Sequence, residues 1–147
     1  MRNVSPPTRM LLCVLCMIAL HLLLPLAVVS NWILFLFGIG LIAFGLVMAF
    51  GAEGQFRQRN TTVDHLGEAS KLVTDGWFKY SRNPMYLSFL LTLLGSWLTL
   101  GSLPPLILIP IYVLFTEQWH ILPEEKRLGR AFGKGYDSYR GRTRRWM

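Results

Sequence analysis

The sequence predicts an all-α, polytopic membrane protein: four transmembrane helices plus a cytoplasmic C-terminal helical segment. Three observations predict it. Of the 147 residues, 52% are hydrophobic and only 16% charged, which is too apolar for an ordinary soluble domain. Four apolar runs approach the length of a bilayer crossing. All 15 Lys and Arg residues lie outside those runs.

The first run is Met10 to Val29, preceded by Arg2 and Arg9. It is longer than a secretory signal core, so it reads as an uncleaved span. Cys13 and Cys16 form a C-x-x-C inside it, with no polar partners to make a redox pair or a metal site; they read as apolar filler. His21 falls in mid-span, has no acidic partner in sequence, and reads as a neutral, hydrogen-bonded side chain. The uncharged turn Ser30-Asn31 leads to the second run, Trp32 to Phe50. Gly38, Gly40 and Gly45 lack the strand and spacing of a nucleotide loop, and suit a close helix–helix contact.

A mixed, polar loop runs from Gly51 to Asn83 and carries Arg57, Arg59, Lys71, Lys79 and Arg82. The third run, Pro84 to Leu100, has a definite start. Proline is favoured at the first helical position, and Asn83 is a good cap. The positive end of a helix begun there attracts anions. Gly101-Ser102-Leu103-Pro104-Pro105 turns the chain into the fourth run, Leu103 to Trp119, in which Pro110 is expected to kink the helix. The third and fourth runs cover about 25 Å each at 1.5 Å per residue, slightly less than the hydrocarbon core.

Pro123 can start a further helix, with Glu124 and Glu125 in its first turn, where the macrodipole favours acids. At about 100° per residue, Ile121, Leu128 and Phe132 share a face that the two carboxylates flank. Lys126, Arg127, Arg130 and Lys134 lie opposite. A carboxylate turned toward an apolar body needs a polar partner. Gly133 and Gly135 are expected to break this helix, and Tyr136 and Tyr139 to fold back.

Charge placement sets the topology. With both termini in the cytoplasm, four spans place every basic residue on one side, as the positive-inside rule requires. Trp32, Trp77, Trp97 and Trp119 fall near span ends, like an aromatic belt. The net charge of +7 is thus topological and does not indicate a nucleic-acid surface. The expected location is an integral membrane, the plasma or inner membrane in a bacterium.

The segments Leu72-Val73-Thr74-Asp75-Gly76, Arg82-Asn83-Pro84-Met85-Tyr86, Glu124-Glu125 with Leu128, and Phe132-Gly133 with Tyr136 resemble, in order and spacing, the integral-membrane methyltransferases of the isoprenylcysteine carboxyl methyltransferase and phospholipid methyltransferase superfamily. The resemblance covers Thr61 to Tyr139. It implies one methyltransferase-like domain over 1–147, with 10–50 a scaffold hairpin and 51–147 a cofactor-binding core. It implies an S-adenosylmethionine-dependent enzyme whose partners are membrane lipids and a lipophilic methyl acceptor. Carried over residue by residue, it places Leu72, Val73, Phe78, Arg82, Asn83, Pro84, Met85, Tyr86, Glu124 and Glu125 around the cofactor. His120 stands where the prenyl-cysteine enzymes carry an Arg, which departs from a prenyl-cysteine substrate. His120, near Glu117 and Glu124 by helical spacing, is either a base or part of the pocket wall. Neither a metal nor a metal-ligand cluster is implied. Two other readings are an NADPH-dependent membrane reductase of related architecture, with Lys79, Arg82 and Arg127 toward phosphates, and a non-catalytic membrane scaffold.

Topology reporters fused after Ser30, Asn60, Ser102 and Met147 should report cytoplasmic positions at Asn60 and Met147 and external positions at Ser30 and Ser102. An external signal at Asn60 or Met147 would overturn the four-span arrangement.

Overall fold

The computed structural model describes residues 5–29, 31–58 and 71–147. Arg2, Ser30, Arg59 and the first part of the resemblance from Thr61 lie outside the described residues. Six α-helices are present among them: α1 (Pro6–Leu23), α2 (Trp32–Gln58), α3 (Pro84–Leu100), α4 (Leu108–Thr116), α5 (Leu122–Phe132) and α6 (Lys134–Arg142). Short 3₁₀ turns occupy Gly76–Lys79 and Pro104–Ile107, and a π-helical turn, Glu117–Ile121, joins α4 to α5. The chain is all-α, with no strand among the described residues. Three helices are long and apolar enough to cross a membrane: Pro6–Leu23, Trp32–Gln55 and the continuous helical stretch Pro104–Phe132. Pro84–Leu100 is a shorter apolar helix.

Several boundaries differ from the sequence expectation. α1 ends at Leu23, because the next residue precedes Pro25; Leu24 leaves the helical region at φ −134°, ψ 70°, as a pre-proline residue does. α2 runs on to Gln58, since nothing in Gly51–Gln58 compels a stop. α3 starts at Pro84 as expected, and the Asn83 carbonyl accepts from the Leu87 N–H at 3.0 Å. Pro110 lies in the first turn of α4, not in mid-helix, where a missing N–H costs little. The departure from α geometry comes instead at the flanking 3₁₀ and π turns.

The chain divides into two compact units, each discontinuous in sequence. One comprises Met1–Leu46 and Ser88–Leu114; the other comprises Val47–Leu87 and Phe115–Met147.

In the first unit, α1 packs on the Pro104–Ile107 turn. The residues after α1 pair with the turn before it: Val29 N–H donates to the Gly101 carbonyl at 2.7 Å, and Leu103 N–H to the Leu26 carbonyl at 3.2 Å. Gly101 has φ +64°, and an added Cβ would stand 2.6 Å from the Val29 carbonyl oxygen, so only glycine fits this turn. His21 does have a partner: its Nδ1 lies 2.8 Å from the Ser102 hydroxyl. The Ser102 carbonyl accepts from the Trp97 indole N–H at 2.9 Å. Cys13 and Cys16 are free thiols.

The same unit holds a close approach of α2 and α3. A Cβ on Gly38 would lie 2.7 Å from the Gly95 carbonyl, and one on Gly45 would lie 2.6 Å from the Thr92 hydroxyl. Thr92 and Ser96 return their hydroxyls to carbonyls one turn back, at 3.0 and 2.8 Å. Polar oxygens therefore line the contact without being left unsatisfied. Gly40 differs from its two neighbours: a Cβ there would meet nothing within 4 Å, so it belongs to no helix contact. Large apolar residues stand outward, including Leu22, Trp32, Phe37 and Phe44. So much exposed apolar surface is a lipid-facing one.

Replacing Gly95 with Leu should destabilise the protein by about 1–3 kcal/mol through overpacking. Gly40→Ala should be neutral or gain up to about 1 kcal/mol of helix propensity. Thermal unfolding in detergent checks both; a Gly95→Leu variant as stable as the wild type would refute the close contact.

Candidate functional site

Every residue carried over from the resemblance lies in the second unit. Three groupings form there.

The first is apolar. Ala52, Val73, Phe78, Tyr136 and Tyr139 form a buried cluster, with Leu72, Trp77, Met85, Leu128 and Phe132 packed against it. Trp77, partly buried, thus packs against a protein core. The two tyrosines reach this core because α5 stops at Phe132. Gly133 turns the chain at φ +48°, a conformation that glycine alone adopts cheaply. Gly135 lies inside α6 and breaks nothing. The Tyr139 hydroxyl donates to the Phe78 carbonyl at 2.7 Å, and burial pushes its pKa up. Leu72, Val73, Phe78 and Met85 are therefore packed side chains, with Val73 and Phe78 5% and 7% exposed.

The second grouping is ionic. Arg82 Nη1 lies 3.0 Å from Glu125 Oε1, with side chains 9% and 11% exposed. It also donates to the Tyr136 hydroxyl at 3.3 Å. Burial, and next the charge of Glu125, keep the Tyr136 hydroxyl protonated. Glu125 receives a second guanidinium: Arg145 donates Nε to Oε1 at 3.1 Å and Nη2 to Oε2 at 2.9 Å. Arg145 also pairs with Glu117, and its hydrogen bonds to Glu125 hold the guanidinium firmly charged. Two guanidiniums on one carboxylate, Arg145 through a fork and Arg82 through Nη1 alone, are balanced by the second acid, Glu117. The Arg82 Nε is buried and has no hydrogen-bond partner among the described residues. Asn83 is buried, and its Nδ2 donates to the Arg145 carbonyl at 3.1 Å.

The third grouping joins Tyr86, His120 and Glu124. Tyr86 is 4% exposed, and its ring centroid lies 5.9 Å from that of His120. The π-helical turn Glu117–Ile121 adds a residue per turn. It replaces the α-helical spacing that the sequence suggested between Glu117, His120 and Glu124; Glu117 faces Arg145 and His120 faces Tyr86. The apolar stretch 104–122 is long enough to reach across a bilayer. On α5, Glu124 meets the charge of Arg127 and a hydrogen bond from Tyr86.

Sequence reasoning brought together Arg82, Asn83, Tyr86, Glu124 and Glu125 as the structure does, and turned Lys126, Arg127, Arg130 and Lys134 outward, where all four are exposed. It missed Arg145 and Glu117 as ion-pair partners. Arg145 gave no signal, being one of eight basic residues after the fourth run. The one available hint was an accounting of charge: two flanking acids on an apolar face need cations.

The architecture is that of an all-α membrane protein, and its second unit gathers these partly buried polar residues. The family pattern described as phospholipid methyltransferase matches residues 33–135, more than two thirds of the chain, and the chain belongs to this methyltransferase family. A protein-S-isoprenylcysteine O-methyltransferase of Schizosaccharomyces pombe is 35% identical over 77 residues, 52% of this chain and 30% of that enzyme. An uncharacterised protein of Haemophilus influenzae is 40% identical over 63 residues, 43% of this chain and 100% of that protein. The chain thus matches less than a third of the yeast enzyme's length. No solved structure matches it.

Proposed function

We propose that this protein is an integral-membrane S-adenosylmethionine-dependent methyltransferase acting on a lipophilic or lipid-linked acceptor. In this reading both termini are cytoplasmic, 10–50 is scaffold, and 51–147 carries the cofactor. The single observation that supports it most is the convergence, in one unit, of the segment Arg82 to Tyr86 with Glu124 and Glu125, linked by the ion pair Arg82–Glu125.

The residues fit the cofactor. S-adenosylmethionine carries a carboxylate, an ammonium, ribose hydroxyls and an adenine. The buried Arg82 Nε, without a partner among the described residues, suits a carboxylate or hydroxyl. Glu124 suits the ammonium or ribose. Tyr86 and the positive end of α3 would close that edge. When bound, the cofactor supplies a methyl group already activated on a sulfonium. The chain's own residues then need only hold the acceptor in line and exclude water. His120, against Tyr86, is the candidate base for an acceptor that must lose a proton. The acceptor class rests on the family and on the yeast relative, whose name specifies a lipid-modified cysteine; the apolar helices would admit such an acceptor from the bilayer.

The reductase reading is less well supported. The family match to the phospholipid methyltransferases favours methyl transfer over hydride transfer.

Calorimetry in detergent should show binding of S-adenosylmethionine or its demethylated product and no binding of NADPH. The reverse pattern would favour the reductase. Glu124→Gln should weaken cofactor binding about ten- to a hundred-fold, the loss of one charge-assisted hydrogen bond worth roughly 1.5–3 kcal/mol. Arg130→Gln, on the exposed face, should bind like the wild type. Equal affinity for wild type and Glu124→Gln would remove Glu124 from the site.

A further inference from the structure

One basic residue after the fourth apolar run does more than mark a membrane side. The segment 143–145 lies along the residues that precede α3. Arg82 N–H donates to the Arg144 carbonyl at 3.0 Å. The Ser81 hydroxyl and Asn83 Nδ2 both donate to the Arg145 carbonyl, at 3.2 and 3.1 Å. Ser81, which also accepts from Asn83 N–H at 3.1 Å, is 0% exposed. Three successive residues, Arg82 and Asn83 of the candidate site among them, are thus satisfied by two successive carbonyls. The side chain of Arg145 meanwhile grips both oxygens of Glu125 and reaches Glu117.

We infer that Arg145 is a positioning residue of the methyl-donor site, acting as a strap: its carbonyl sets Asn83, and its guanidinium holds Glu125 so that Arg82 keeps one nitrogen, Nε, for the ligand. The inference rests on the methyl-donor reading above. A carboxylate facing one arginine prefers a two-pronged contact. Arg145 occupies Glu125 Oε2 and leaves Arg82 a single contact, through Nη1. Without Arg145, Glu125 is released to close a second bond on Arg82 and take up the donor that the ligand requires. A strap that only held the fold would have no such competition to relieve.

The test is S-adenosylmethionine affinity by calorimetry, with melting temperature measured in parallel, for wild type, Arg145→Gln, Arg145→Gln with Glu125→Gln, and Arg140→Gln as an exposed control on α6. Arg145→Gln should bind at least about tenfold more weakly. Adding Glu125→Gln should recover at least threefold of that loss, because neutral Gln no longer competes for Arg82. Arg140→Gln should match the wild type. Wild-type affinity in Arg145→Gln would overturn the inference. So would a double variant weaker than Arg145→Gln, since purely structural losses accumulate. If Arg145→Gln fails to fold, Arg145→Lys serves: it keeps the charge without the fork and should bind at an intermediate strength, and wild-type affinity there would equally overturn the inference. A wild type that binds no S-adenosylmethionine would instead overturn the donor reading on which the inference stands.

Discussion

The second unit depends on one carboxylate, Glu125, shared by Arg82 and Arg145. Nearly enclosed, it is costly to desolvate, and the attraction it gains in return roughly balances that cost. Such a network adds little net stability over a well-packed apolar alternative. Removing one member is another matter, because it strands a charge at about 3–5 kcal/mol. The consequence is geometric fixity. Arg82 comes from the loop before α3, Glu117 from the π-helical turn, Glu125 from α5, and Arg145 from the segment after α6. Three separate stretches of chain, with Glu117 and Glu125 on one continuous helical stretch, are held in one register by charge. The apolar cluster around Val73, Phe78, Tyr136 and Tyr139 supplies the burial.

The first unit is organised on another principle. Between apolar helices in lipid there is no water to expel, so association relies on close packing and hydrogen bonds. Gly38, Gly45 and Gly95 permit backbone contact, and the Thr92 and Ser96 hydroxyls bond within their own helix. His21 meets Ser102, so its polar ring carries a partner into an apolar setting. Among its described residues, this unit shows no ion pair like those of the second.

Much of this was legible in the residues. Asn83-Pro84 marks a helix start because proline's fixed φ and missing N–H suit only that position, and α3 begins there. Gly133 marks a stop for the complementary reason. The two faces of α5 follow from its charge pattern. Other features were hidden. The end of α1 at Leu23 was written in Pro25, but a continuous apolar run masked it. The π-helical turn has no composition signature, so the neighbours of His120 could not be assigned by α-helical spacing. Gly135 lies within α6 and Gly40 faces open space, because a glycine permits a break or a contact without compelling either. Arg145 was concealed by its surroundings: a basic residue in a basic segment satisfies the membrane-side rule whether or not it also pairs with a buried acid, and only three-dimensional proximity to Glu117 and Glu125 distinguishes it.

The central claim is that the second unit is where the methyl donor binds. Direct photo-crosslinking of isotopically labelled S-adenosylmethionine to the detergent-solubilised protein, followed by peptide mapping, tests it most directly. The account predicts label on peptides from 71–87 and 117–132, suppressed by excess unlabelled donor. Competable label confined to α1 and the first half of α2 would contradict it.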